Sequence, residues 1–266
     1  MNTQHVINMS ETSYVGNIFI DDGGTGELPI IFIHSLAGNM QQWSAQIDHV
    51  RKTRRAIALD LRGHGQSKPN ANGEFTIDLL AADVHAVVNE LGLQKFILVG
   101  HSMGGSVAVA YAGAYPEHVA GLLLVDPSGD STQIPEGEIR PFIDAMRSEA
   151  YQSVVEGYWQ QILTGATATT QTKVMQDLRN TPKETVVELL TALFGYHPVP
   201  ALNRFHGPKL SVITPITDIP IGLHNLVSDL PHVMVTGTGH WLHMDKPEHF
   251  NQILDDFLAS TDKRLR

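Results

Sequence analysis

The stretch "FILVGHSMGGSVAVAYA", residues 96–112, passes from four bulky apolar residues into a glycine-flanked serine and then into a run of small residues. The apolar start reads as a buried strand, and the small-residue run as a helix packed closely against its neighbours. Between them Gly100-His101-Ser102-Met103-Gly104 has the pattern G-x-S-x-G at a strand-to-helix reversal. So sharp a reversal strains the serine backbone and brings the residues two before and two after it close enough that a Cβ on either would clash, which glycine avoids. Ser102 is thereby expected to stand out at the strand end, facing the free N–H groups and positive dipole end of the following helix.

Working outward, short branched apolar runs recur at 28–34, 54–61, 95–100, 119–126, 209–214 and 232–237 and read as buried strands. Helical patterns fall between several of them, as at 76–92, where Ile77, Leu80, Ala81, Val84, Val87, Val88 and Leu91 recur at spacings of three and four. Strands alternating with helices imply a mostly parallel sheet covered on both faces, with any ligand at the carboxyl ends of the strands. An antiparallel entry is predicted over "TSYVGNIFIDDGGTGELP", with Asp-Asp-Gly-Gly as its turn. The alternation stops after Asp126 and resumes near Lys209. The segment between reads as helical throughout: one helix over 140–163, and another begun by Thr181 as N-cap, Pro182 in the first turn and Glu184 as the reciprocal cap. This divides the chain into a core of residues 1–127 and 207–266 and a helical cap of residues 128–206 lying over the strand ends.

Composition sets limits on function. A formal net charge of −10 spread without blocks of like charge argues against nucleic acid and anionic membrane as partners. The chain has no cysteine, so thiol nucleophiles and thiolate-held metals are excluded. Its histidines are scattered away from ligand spacing, and neither a metal nor a cofactor is expected. No run approaches the ~20 apolar residues of a membrane span, and the start carries no basic, apolar leader, so a cytoplasmic protein is expected, monomeric or homodimeric.

A serine hydroxyl needs a base within hydrogen-bonding reach and a carboxylate to orient that base. The best base is His240, in "GTGHWLHMDKPEHF" (237–250), where Gly237 and Gly239 make a loop able to return the imidazole to Ser102. His243 and His101 are its rivals and are read as packing or hydrogen-bonding histidines.

Taken with "HSLAG" (34–38), "LDLRGHGQS" (59–67), "GHSMGG" (100–105) and "LLLVDP" (122–127), this last stretch makes the chain resemble the α/β-hydrolase fold family of serine hydrolases, with all five in the family's order. The resemblance implies an α/β fold with a mostly parallel eight-stranded sheet, flanking helices and a helical cap insertion. It implies a nucleophile at Ser102, a base at His240 and an oxyanion hole from the backbone N–H groups of Met103 and Leu36, the latter following His34-Ser35 where relatives usually have His-Gly. In this family "LRGHGQS" is usually a structural turn. Two aspartates stand where the fold places its acid: Asp126, ending "LLLVD", which we favour, and Asp218 in "VITPITDIP", the commoner position. The expected function is hydrolysis of small or medium, uncharged carboxylic esters through an acyl-enzyme, with Phe142, Trp159 and Phe194 lining the acyl pocket. A carbon–carbon bond hydrolase or a perhydrolase would share the triad, and a ligand receptor with little turnover is the reading from another class.

Overall fold

The computed structural model describes residues 11–26, 28–69 and 73–265. Along the chain it contains β1 (Glu11–Val15), β2 (Ile18–Gly23), β3 (Ile30–Ile33), α1 (Ser44–Val50), β4 (Ala56–Leu59), α2 (Ile77–Glu90), β5 (Phe96–His101), α3 (Met103–Ala114) and β6 (Val119–Val125). Five helices follow without an intervening strand: α4 (Glu136–Arg147), α5 (Tyr151–Ile162), α6 (Ala168–Asn180), α7 (Lys183–Gly195) and α8 (Val199–Arg204). The chain then returns through β7 (Lys209–Ile213), α9 (Leu223–Leu226), β8 (His232–Met234), α10 (Leu242–Asp245) and α11 (Pro247–Leu265).

These strands form one eight-stranded sheet in the order β1-β2-β4-β3-β5-β6-β7-β8. β1 and β2 pair antiparallel, β2 joins β4 antiparallel, and every later pairing is parallel. The strand alternation explains why both faces need cover. Ile31, Ile33, Ile57 and Leu59 belong to one core with α2 and α3, whereas Ile30, Phe32, Ala56 and Ala58 belong to a second with Trp43, Ile47, Leu254 and Phe257.

Four local expectations are corrected. The entry hairpin turns at Gly16-Asn17, where Gly16 has φ 58°, and Asp21, Asp22 and Gly23 continue β2. The two aspartates are held in the strand by arginines, Arg51 to Asp21 at 2.9 Å and Arg55 to Asp22 at 2.6 Å. The helix expected over 140–163 is two helices, since Ser148 leaves helical geometry at ψ −177° and its hydroxyl caps the N–H of Ala150 at 3.0 Å. Thr181 does not cap α7: its hydroxyl donates instead to the carbonyl of Asp177 at 2.9 Å, closing the end of α6. Finally, β8 spans only three residues and is exposed, because it is the free edge of the sheet.

The reversal at Ser102 forms as its sequence dictates. Ser102 sits at φ 53° and ψ −120° between β5 and α3. A Cβ on Gly104 would lie 2.6 Å from the carbonyl oxygen of Ile33 and against that of His34, so the first turn of α3 rests directly on the end of β3. Gly157, inside α5, has open space around it. Gly104→Ala is therefore expected to lower the melting temperature markedly, while Gly157→Ala should raise stability by up to about 1 kcal/mol; thermal unfolding of the two variants beside the parent checks both signs.

Candidate active site

Ser102, Asp126 and His240 come from three different segments and are drawn together at the carboxyl ends of β5 and β6. The Ser102 N–H donates to the carbonyl of Val125 at 3.0 Å, which sets the serine beside the residue preceding Asp126. His101, next to the serine, donates from Nε2 to the His240 carbonyl at 2.9 Å, and the two rings lie 4.8 Å apart. His240 Nδ1 donates to Asp126 Oδ2 at 2.6 Å. A carboxylate accepts only, so this contact places the ring proton on Nδ1 and leaves Nε2 as an acceptor.

Asp126 is fully buried at the end of β6, with φ 41°. Its Oδ1 accepts from the Thr214 N–H at 2.7 Å and from the Thr217 hydroxyl, and Oδ2 accepts the Thr214 hydroxyl at 2.8 Å. Asp218, the other candidate acid, pairs with His224 at 3.1 Å and has a side chain about half exposed; the imidazole of His240 is bonded to Asp126. The sequence analysis gives these two threonines no role, naming only Asp218 in "VITPITDIP". Their hydroxyls, three residues apart beyond a strand end, were the available signal.

Leu36 and Met103, the two expected oxyanion donors, are both buried. Met103 is the first residue of α3, where the N–H has no partner within the helix. Leu36 lies in the turn after β3, and Ala37 behind it has φ 54°. Two neutral histidines hold this turn. His64 Nε2 accepts the Ala37 N–H at 3.0 Å while its Nδ1 donates to the Arg62 carbonyl; His34 Nε2 accepts the Leu61 N–H at 2.9 Å while its Nδ1 donates to the Ser35 carbonyl. Burial drives both below the ordinary imidazole range, His34 to about 4 and His64 to about 3. The rest of "LRGHGQS" is likewise bound into structure: Arg62 pairs with Asp83, and the Ser67 hydroxyl donates to the Asp60 carbonyl at 2.6 Å.

The three aromatic residues of the inserted helices are placed differently from one another. Phe194 lines a groove of about 560 Å³ with Ser131, Ile134, Ile139 and Ile143. The Phe142 ring lies tilted against that of Phe194 at 6.0 Å, and Trp159 is buried in the core shared with α2 and α3. Among the described residues no helix is long and apolar enough to cross a membrane, and no three histidine or carboxylate side chains are grouped to hold a metal ion.

Residues 29–157 match the family model described as alpha/beta hydrolase fold. The chain is 33% identical over 249 residues to the dihydrolipoyllysine-residue acetyltransferase component of the acetoin cleaving system of Cupriavidus necator, covering 89% of this chain and 65% of that protein. Its similarity to the component of the same name from Pseudomonas putida, 36% over 129 residues, covers 48% of this chain and 34% of the relative. The chain thus spans less than two thirds of the length of either. Among solved structures, a thermophilic esterase from Thermogutta terrifontis superposes with a TM-score of 0.78 at 25% identity, covering 95% of this chain and 99% of the other. The chain has the alpha/beta hydrolase fold.

His243 is buried and stacked on Trp43 at 4.1 Å, with neither ring nitrogen hydrogen-bonded among the described residues. Burial, then the nearby His240, lowers it to about 3. Between that value and the ordinary ~6.5 the unfolded chain binds more protons, so this contribution to stability is complete above about pH 6.5 and is lost as pH falls, by about 1.4 kcal/mol per unit. His243→Phe keeps the stack and removes the titration. Its melting temperature should exceed the parent's by more at pH 5 than at pH 8; an equal difference at both would refute the assignment.

Proposed function

We propose that this protein cleaves small or medium, uncharged carboxylic esters through an acyl-enzyme on Ser102. The observation that carries the reading is the 2.6 Å contact between His240 Nδ1 and the fully buried Asp126. With Nδ1 committed, Nε2 is the atom that takes the serine proton as Oγ attacks the ester carbonyl, and Asp126 stabilises the imidazolium so formed. Charge developing on the carbonyl oxygen is met by the N–H groups of Met103 and Leu36, donors fixed before the reaction begins. Collapse of the tetrahedral species breaks the ester carbon–oxygen bond and the alcohol leaves with the proton from His240. Water, deprotonated by the same nitrogen, then attacks the acyl carbon and restores Ser102.

The apolar side of the groove faced by Phe194 supports an apolar acyl group. Its wall residue Ser131 lies three residues beyond Ser128, whose N–H contacts the Ser102 carbonyl at 3.4 Å. Three residues span at most about 11 Å, so the groove lies within reach of a substrate held at the serine. Ile134, Ile139, Ile143 and Phe194 form its apolar side, and Glu136, Arg140, Asp144 and Arg147 also line it.

Nitrophenyl esters of increasing acyl length test the reading: sustained turnover is expected, whereas a binding module would release at most one product per chain. A fluorophosphonate should label Ser102 stoichiometrically, and labelling that persists in Ser102→Ala would sink the nucleophile. Asp126→Asn should lower kcat by roughly 10²–10⁴-fold through loss of the productive tautomer, while Asp218→Asn keeps most activity. The reverse pattern, with both variants folded by circular dichroism, would move the acid to Asp218. Phe194→Ala should shift the preferred acyl length, and an unchanged preference would remove the groove from the substrate path.

A further inference from the structure

Gln42 follows β3 in a short 3-10 turn (Met40–Trp43) and is buried. Its side-chain oxygen accepts the Ser35 hydroxyl at 3.2 Å and the Trp241 indole N–H at 3.3 Å, while its nitrogen donates to Asp177 Oδ2 at 3.0 Å. The orientation of the amide is forced, because an indole N–H only donates and a carboxylate only accepts. Ser35 immediately precedes Leu36, Trp241 immediately follows His240, and Asp177 belongs to α6 of the inserted helices. One amide therefore joins the loop of the oxyanion donor, the loop of the base and the helical segment above them. Asp177 is itself buried, its Oδ1 accepting from Asn39 at 2.9 Å and from Lys173.

We propose that Gln42 is a positioning residue through which docking of α6 at Asp177 sets the relative placement of the Leu36 N–H and His240 about Ser102. The proposal rests on the serine-hydrolase reading of that site. The oxyanion donor and the base must hold their places on opposite sides of the reacting carbonyl, and each sits in a loop whose neighbouring residue is tied to the same oxygen atom. Uncoupling Asp177 leaves that oxygen's carrier free to shift between its two donors. Neither Gln42 nor Asp177 touches substrate in this account.

The bond between them can be reversed atom for atom. Gln42→Glu places a carboxylate against a carboxylate, and Asp177→Asn places an amide N–H against an amide N–H or turns one toward Lys173. The double variant restores one donor and one acceptor with the net charge unchanged, the introduced asparagine side chain keeping its oxygen toward Asn39 and Lys173. Rates should be measured per active site titrated with fluorophosphonate, so that loss of folded protein does not count as loss of catalysis. Each single variant is expected to lower kcat and the labelling rate of Ser102 by about tenfold with KM changed less than about twofold, and the double variant to recover most of both, a coupling in the range found for residues of one hydrogen-bond network. Single variants that melt earlier yet keep parental kcat per titrated site would show a purely structural role and overturn the proposal, as would a double variant no faster than the singles. If Gln42→Glu does not fold, Asp177→Asn and Trp241→Phe form a second cycle: both side chains hydrogen-bond to Gln42, so non-additive effects on kcat support the coupling and additive ones overturn it. Parent protein that neither turns over esters nor takes the label would instead overturn the serine-hydrolase reading, and this inference with it.

Discussion

Burying a carboxylate is costly unless donors replace the water it gives up. Asp126, with no exposed surface, is met by the backbone and hydroxyl of Thr214, the hydroxyl of Thr217 and the imidazole of His240. Those donors come from the end of β7 and from the loop after β8, so the carboxylate ties three consecutive strand ends into one cluster. The positive φ of Asp126 is held because its N–H also donates to the carbonyl of Val212 on β7. A second strained residue, Ser102, bonds through its N–H to Val125 one residue earlier. The two unusual backbone conformations thus brace each other across adjacent strands, and the sheet between them supplies the rigidity.

The same constraint governs the histidines. His34 and His64 are useful as neutral rings because a neutral imidazole offers one donor and one acceptor in fixed directions: His64 accepts the N–H of Ala37, next to Leu36, and His34 accepts the N–H of Leu61. Burial keeps them neutral, so the turn that holds Leu36 is supported by groups that carry no charge near neutral pH. His101 is also pushed well below the usual range by burial and holds the His240 carbonyl.

How far the sequence could be read follows from the range of the interactions. The reversal at Ser102 is coded within five residues, since both glycines and the small-residue helix are local, and the alternation of strand and helix is a matter of period. The insertion between Asp126 and Lys209 was visible as a break in that period. What escaped was decided either by a single competing hydrogen bond or by a partner distant in sequence. The hydroxyl of Ser148 splits a helix whose apolar pattern runs on unbroken, and that of Thr181 closes the end of α6 where the sequence pointed to the N-cap of the next helix. Asp21 and Asp22 beside two glycines looked like a turn because the arginines that hold them in β2 lie 30 and 33 residues away. Gln42 was unreadable for the same reason: in "NMQQW" it is one of two adjacent glutamines, and nothing local distinguishes the one that reaches Ser35, Asp177 and Trp241.

The contrast between Asp126 and Asp218 shows which kind of local signal survives folding. Both follow strands, both are near threonines, and both have a histidine partner. Asp126 follows its strand without an intervening residue, so its side chain is delivered at the sheet edge where neighbouring strand ends converge. Asp218 comes five residues after β7, far enough for the chain to have turned outward, and its partner His224 is six residues on in the same excursion. A carboxylate that closes a local loop to a nearby histidine has its hydrogen-bond needs met at half exposure. One placed at the strand end must find donors from other segments, and in doing so it organises them around the serine.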